Sequence, residues 1–150
     1  MPSSLYSDVD ASLWLDNAAQ YIFYAEALRD EVEQLSKVSD AFPTPNSPAP
    51  YMVREYRETI ERRLSDAPNN KRLLDTQLRD MERRCKRDIA HLRDRLEREG
   101  ALQASNAPPH NPNGPFVRHF QRLMQEDIER TSEALEMLRE AKRILDSINV

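Results

Sequence analysis

Apolar side chains recur at alternating intervals of three and four residues along most of this chain, the periodicity of an α-helix that buries one face. In the first third of the sequence this pattern is a line of residues that are apolar except for Ser39: Trp14, Ala18, Tyr21, Ala25, Leu28, Val32, Leu35, Ser39 and Phe42. A seven-residue repeat of this kind is typical of a helix that packs lengthwise on another helix. The pattern predicts a first helix over residues 8–41, capped by Ser7 and ended by Pro43.

The same periodicity predicts three more helices, a short one over residues 48–64 and two long ones over residues 70–99 and 115–148. Residues 66–70, with a proline and two asparagines, are interpreted as a turn between the second and third helices. Gly100 is interpreted as the left-handed cap of the third helix. The apolar line of that helix repeats every 11 residues, which keeps a helix nearly straight, and consists of Leu74, Leu78, Met81, Cys85, Ile89, Leu92 and Leu96.

The fourth predicted helix carries two apolar lines. The first consists of Val117, Phe120, Met124, Ile128, Thr131, Leu135, Leu138 and Leu145. The second joins it near the end of the helix and consists of Ala134, Met137, Ala141, Ile144 and Ile148. Together the two lines cover about half of the helix circumference, so we expect this end to contact two helices at once.

Two proline-rich linkers, residues 43–50 and 100–115, separate the predicted helices. The sequence therefore predicts a single all-α domain, residues 1–150, built as an antiparallel bundle of four helices, three long and one short, with coiled-coil-like seams. Because the short helix closes only about half of the bundle, we expect apolar surface to stay open for another chain.

One turn of the first helix is apolar on every side, because Tyr21, Ile22, Phe23 and Tyr24 point in four directions about 100° apart. This turn is either buried among several helices or exposed as a docking surface. Apolar residues that lie off a single seam favour contact with another chain. On this basis the predicted protein-contact residues are Tyr21, Phe23, Tyr24, Met137 and Ile144.

Charge is distributed unevenly along the chain, whose formal net charge is −4. Residues 1–50 carry 2 basic and 8 acidic side chains, whereas residues 71–100 carry 10 basic and 7 acidic ones. Pairing within the fold explains this asymmetry, and a basic helix offered to an acidic partner is the alternative. Four acid–base pairs at a spacing of four residues are each expected to contribute about 0.2–0.5 kcal/mol: Asp75/Arg79, Asp80/Arg84, Glu82/Lys86 and Asp94/Arg98.

Candidate chemistry is sparse. Cys85, the only cysteine, lies within an apolar line and is predicted to be a buried thiol with a raised pKa. Asp88 and His91 stand at the spacing of half a di-iron motif, but the sequence contains no second half. The chain has 2 glycines, too few for a P-loop or a dinucleotide-binding loop. We therefore expect no catalytic residue, no metal site, no cofactor and no enzyme activity.

The sequence thus predicts a non-enzymatic helical interaction module: a scaffold, an adaptor or a small subunit that binds a protein partner or itself through helix faces. The alternative is a nucleic-acid-associated or nuclear protein that uses the Arg-rich helix of residues 71–98, with a basic cluster of Arg79, Arg83, Arg84, Lys86 and Arg87. Interspersed acids and the net negative charge disfavour nucleic acid as a ligand. Since no apolar stretch is long enough to span a membrane and no secretion signal is evident, we expect no membrane contact and a cytoplasmic location, with the nucleus as the alternative.

Overall fold

The computed structural model of the chain describes residues 10–41, 51–106 and 115–150. These residues form three α-helices and no strand: α1 (Ala11–Ala41), α2 (Tyr51–Asn106) and α3 (Pro115–Asp146). The predicted all-α class is confirmed, whereas the predicted number of four helices is wrong. Each of the three helices contacts both of the others.

The first helix begins at Ala11 instead of Asp8, because Asp10 serves as its cap. The Oδ1 atom of Asp10 accepts a hydrogen bond from the backbone N–H of Leu13 at 3.1 Å, and its carbonyl oxygen accepts one from Trp14 at 3.1 Å. A carboxylate in this position satisfies an otherwise unpaired donor and stabilises the positive end of the helix dipole. Ser7, the predicted cap, lies outside the described residues.

The second and third predicted helices are one continuous helix. α2 runs for 56 residues with Pro68 inside it, so the turn predicted at residues 66–70 is wrong. A proline in a helix interior costs about 3 kcal/mol, because it removes one backbone hydrogen bond and crowds the preceding turn. Packing on both sides of Pro68 offsets this cost: Ala67 is buried in the core, and the Lys71 Nζ donates to the carbonyl oxygen of Ile148 at 2.9 Å.

The predicted end of this helix at Gly100 is also wrong, since α2 continues to Asn106. Gly100 does not have the positive φ that a left-handed cap requires. Residues 100–106, predicted as the start of a linker, are therefore helical, whereas residues 107–114 and the other predicted linker, residues 43–50, lie outside the described residues. α3 matches the fourth predicted helix closely, from Pro115 to Asp146.

Polar contacts establish the direction of each helix. Glu82 pairs with Arg139 at 3.2 Å and Lys71 with Ile148, so sequence numbers fall along α2 as they rise along α3. Trp14 contacts Asp88 near the start of α1, whereas residues 29–37 line a surface cavity together with residues 147–149. α1 is therefore parallel to α3, and α2 is antiparallel to both.

The core follows the predicted apolar lines. Every residue of the first line predicted on the fourth helix is buried in α3. The buried residues of α1 are mostly small, including Ala18 and Ala25, which let a neighbouring backbone approach closely. α1 packs most extensively on α3 and least on α2. As a result, the face that α1 and α2 share on the side opposite to α3 is the most open side of the bundle.

Candidate protein-interaction surface

The exposed large apolar side chains are unevenly distributed over the bundle. α3 exposes none between residues 117 and 146, the part of the helix whose side chains are described. Among the side chains that the structure describes, the others apart from Val150 belong to α1 and α2: Leu13, Phe23, Tyr24, Tyr56 and Leu73. The surface most suited to binding another protein therefore lies on α1 and α2.

Three aromatic rings of α1 form a cluster at this surface. The rings of Tyr21 and Tyr24 lie 6.1 Å apart at 86°, and those of Phe23 and Tyr24 lie 6.2 Å apart at 64°. Both are edge-to-face arrangements, which aromatic quadrupoles favour. Tyr21 packs partly against the core, whereas 66% of Phe23 and 48% of Tyr24 is exposed. We refer to Tyr21, Phe23 and Tyr24 as the aromatic cluster.

The five predicted contact residues fall into two groups. Tyr21, Phe23 and Tyr24 come together in the aromatic cluster, which fits the second alternative for this turn, an exposed surface. Met137 and Ile144 are half-buried on α3 and pack against the core, so they contribute to the bundle itself. Contact with a partner stays a prediction for all five residues.

Acidic side chains surround the aromatic cluster. α1 carries six acidic and two basic residues. At 100° per residue, one exposed side of the helix, turned away from α3, includes both aromatic and acidic groups and no basic one. We call it the outer face of α1: Leu13, Asp16, Gln20, Phe23, Tyr24, Ala27 and Glu31.

The adjacent side of α2 is basic. Its residues turned away from α3 beside α1, all exposed except the half-buried Asp80, make up the outer face of α2: Arg62, Asp66, Leu73, Gln77, Asp80, Arg83, Arg84 and Arg87. Arg84 pairs with Asp80 at 3.0 Å, whereas Arg83 and Arg87 add positive charge. The two outer faces thus lie side by side and carry opposite net charge.

A groove of about 590 Å³ separates the two outer faces at one end. Its floor includes Trp14, whose indole Nε1 donates to the Oδ2 of Asp88 at 2.8 Å. Its remaining lining residues are Asp10, Leu13, Asn17, Met81, Arg84 and Arg87. The lining therefore combines acidic, basic and apolar side chains.

Cys85 is fully buried between α2 and α3, as predicted. Its Sγ donates to the carbonyl oxygen of Thr131 at 3.3 Å. Burial, and secondarily the nearby charge of Asp88, raises the pKa of the thiol to about 11. A protonated thiol without access to solvent is a weak nucleophile, so the geometry assigns Cys85 to packing.

Ion pairs join α2 to α3, and the spacing of residues within one helix does not predict them. Glu82 lies between Arg139, at 3.2 Å, and Lys86, at 3.4 Å. Burial alone raises the pKa of Glu82, but the hydrogen bond from Arg139 and the charge of Lys86 outweigh it, and the net pKa is lowered. Farther along, Lys142 contacts Asp75 at 2.6 Å, and this hydrogen bond raises the pKa of the lysine. These pairs depend on which residues of α2 lie opposite which residues of α3, and this is known only from the structure.

All four predicted acid–base pairs within α2 are present, which bears directly on the basic cluster. Arg79, Arg84 and Lys86 pair with acids one turn earlier, at 3.0, 3.0 and 3.4 Å, and Arg98 pairs with Asp94. Groove binding of nucleic acid needs a basic surface whose charges are not neutralised in this way. The nucleic-acid alternative gains no support from this geometry and stays a prediction.

Neither a cluster of metal-ligating side chains nor a membrane-spanning helix is found in the part of the chain that the structure describes. Over residues 10–41, 51–106 and 115–150, no group of three or more His, Cys, Asp or Glu side chains is arranged to hold a metal ion. Within the same ranges, no helix has the length and apolar character needed to cross a membrane.

In comparisons with known proteins, no family model, curated protein or solved structure matches the chain.

Proposed function

We propose that this chain is a non-enzymatic helical interaction module, a scaffold, adaptor or small subunit of a larger complex, which binds another protein chain through the outer face of α1. The observation that supports the proposal best is the exposure of Phe23 and Tyr24, side by side, on a helix that is otherwise anchored by buried residues. Large aromatic side chains supply much of the binding energy at protein interfaces.

The aromatic cluster is separable from the packing of α1. Trp14, Ala18, Ala25 and Val32 bury the inner face of this helix. Phe23 projects to solvent, so its burial is available to an interface, where fully burying a side chain of this size contributes about 1.5–3 kcal/mol. A change at Phe23 therefore affects binding more than folding.

The charge of the outer face indicates the chemistry of the partner surface. Asp16 and Glu31 flank the aromatic cluster, and both are exposed. A complementary surface has an apolar centre that accepts the aromatic rings and basic groups at its edge, since complementary charges accelerate association and exclude wrong partners. A helix with an apolar stripe and flanking arginines meets both conditions.

Site-specific photo-crosslinking tests this proposal. A benzophenone amino acid is placed at position 23, and a matched one replaces Glu129, an exposed residue of α3. We expect position 23 to capture a defined protein that position 129 does not capture. Once purified, the captured protein should bind the Phe23→Glu, Tyr24→Glu variant of this chain at least tenfold more weakly than it binds the unaltered chain. Equal capture at both positions, or unchanged affinity of the double variant, contradicts the proposal.

A further inference from the structure

We infer that the chain bound at this surface is a second copy of the same chain, in a two-fold dimer that places the acidic outer face of α1 against the basic outer face of α2 of the other copy, twice. The inference rests on the proposed function and specifies its partner. It draws on the size of the shared face, on the opposite charges of its two halves and on the direction of the helices.

The face is large enough for a stable dimer. α1 has 31 residues and spans about 46 Å at 1.5 Å per residue. Two helices side by side are about 20 Å wide, so the face that α1 and α2 share covers about 900 Å². A specific interface of standard size buries about 800 Å² on each partner.

Charge selects one of two symmetric arrangements. Two copies can stack face to face about a two-fold axis that runs across the helices or along them. The first axis places α1 on α1 and α2 on α2, so like charges meet. The second places each α1 on the α2 of the other copy, so the acidic face meets the basic face in both halves of an isologous interface. The second arrangement is therefore the one we infer.

The same axis determines which side chains meet. Rotation about an axis along the helices keeps the height of every residue, and the contact between Trp14 and Asp88 gives the relative heights of α1 and α2. Asp16 is then about level with residue 86, which places it beside Arg84 and Arg87 of the second copy. Phe23 and Tyr24 are about level with residues 79 and 78, within about 9 Å along the axis of the exposed Leu73 of the second copy.

Charge exchange between two variants tests this arrangement. One variant carries Asp16→Arg, and the other carries Arg84→Glu and Arg87→Glu, the two residues that this arrangement places beside Asp16. We expect the unaltered chain to have twice its chain mass of 17.5 kDa in analytical ultracentrifugation, and each variant alone to dimerise about 100-fold more weakly. In an equal mixture every acidic face again meets a basic face, so we expect the mixed dimer to form, which also shows that both variants are folded.

Matched charge reversals on α3 serve as the control. Glu129→Arg with Glu133→Arg, and Arg118→Glu with Arg130→Glu, change exposed residues outside the inferred interface and are expected to leave the dimer unchanged. A monomeric unaltered chain at about 100 μM, far above a micromolar dissociation constant, overturns the inference. So does a variant that dimerises alone as tightly as the unaltered chain, or a mixture that dimerises no more tightly than the two variants do separately. A monomer that still captures a different protein at position 23 overturns the dimer but leaves the proposed function standing.

Discussion

The indole of Trp14 donates a hydrogen bond to the carboxylate of Asp88 at 2.8 Å, joining the first turn of α1 to the middle of α2. Only 9% of Trp14 is exposed, so the bond lies in a partly buried environment in which an unpaired donor is costly. It links the two helices whose direct packing is the least extensive in the bundle.

A double-mutant cycle measures this bond. Trp14→Phe removes the donor and keeps most of the apolar surface, and Asp88→Ala removes the acceptor. We expect a coupling energy of about 1 kcal/mol between the two changes in urea unfolding, because the bond exists only when both partners are present. Additive effects of the two substitutions would show that the contact contributes nothing to stability.

Removing the proline inside α2 should stabilise the protein. Pro68→Ala restores a backbone N–H that can bond to the carbonyl of Leu64, and we expect a gain of about 1–3 kcal/mol in the free energy of unfolding. Ser65→Ala, at an exposed position one turn earlier, is the control and should change stability by less than about 0.5 kcal/mol. A loss of stability in Pro68→Ala would favour the turn over the continuous helix.

Ionisation of the Cys85 thiol should make the free energy of unfolding decrease as the pH rises in alkaline solution. Its pKa is about 11 in the folded chain against 9.0 for an unperturbed thiol. Between these values the unfolded chain loses the thiol proton while the folded chain keeps it, so this contribution is complete below pH 9 and is lost as the pH rises to 11. We expect a decrease of about 2 kcal/mol that is absent in Cys85→Ala, measured as the difference between the two proteins in urea unfolding at each pH. Rapid labelling of the native thiol would contradict the buried position.

The pairing of Glu82 predicts an opposite dependence at acidic pH. Because the pKa of Glu82 is lowered in the folded chain, its contribution is present above the unperturbed value of 4.5 and is lost as the pH falls through the folded value. The group is partly exposed, so solvent screening keeps the effect at about 1 kcal/mol or less. Glu82→Gln should flatten the decrease of stability below pH 4.5, whereas Glu129→Gln on the surface of α3 should not.

Replacing the aromatic cluster should separate association from folding. Phe23→Glu together with Tyr24→Glu changes residues that are 66% and 48% exposed and lie outside the core, so we expect the free energy of unfolding of the monomer to change by less than about 1 kcal/mol. Circular dichroism should show unchanged helicity, while the partner binding described above is lost. If the double variant is unfolded, the aromatic cluster is needed for the stability of α1, and the expected separation of association from folding is wrong.

Periodicity predicted most of the fold because burial in a helical bundle follows the three-and-four spacing. The first apolar line of α3 was predicted residue by residue, and so were the four ion pairs within α2. The spacing also continues across Pro68, through Ile60, Leu64, Ala67, Lys71 and Leu74, so the sequence contains a signal for one long helix that the local preference of proline obscured. The bond between Trp14 and Asp88 and the pair of Glu82 with Arg139 depend on the register between helices, which no spacing within one helix contains.

The length of α2 also determines how unfolding begins. At 1.5 Å per residue, its 56 residues form a rod of about 84 Å, whereas α1 and α3, with 31 and 32 residues, are little more than half as long. The observed pairings place all three described helices side by side only along residues about 72–91 of α2. Amide protons in these five turns should exchange with deuterium at the slow rate of global opening, and those toward either end of the rod should exchange progressively faster. Unfolding should therefore begin at both ends of α2 and reach residues 72–91, which contact both other helices, last.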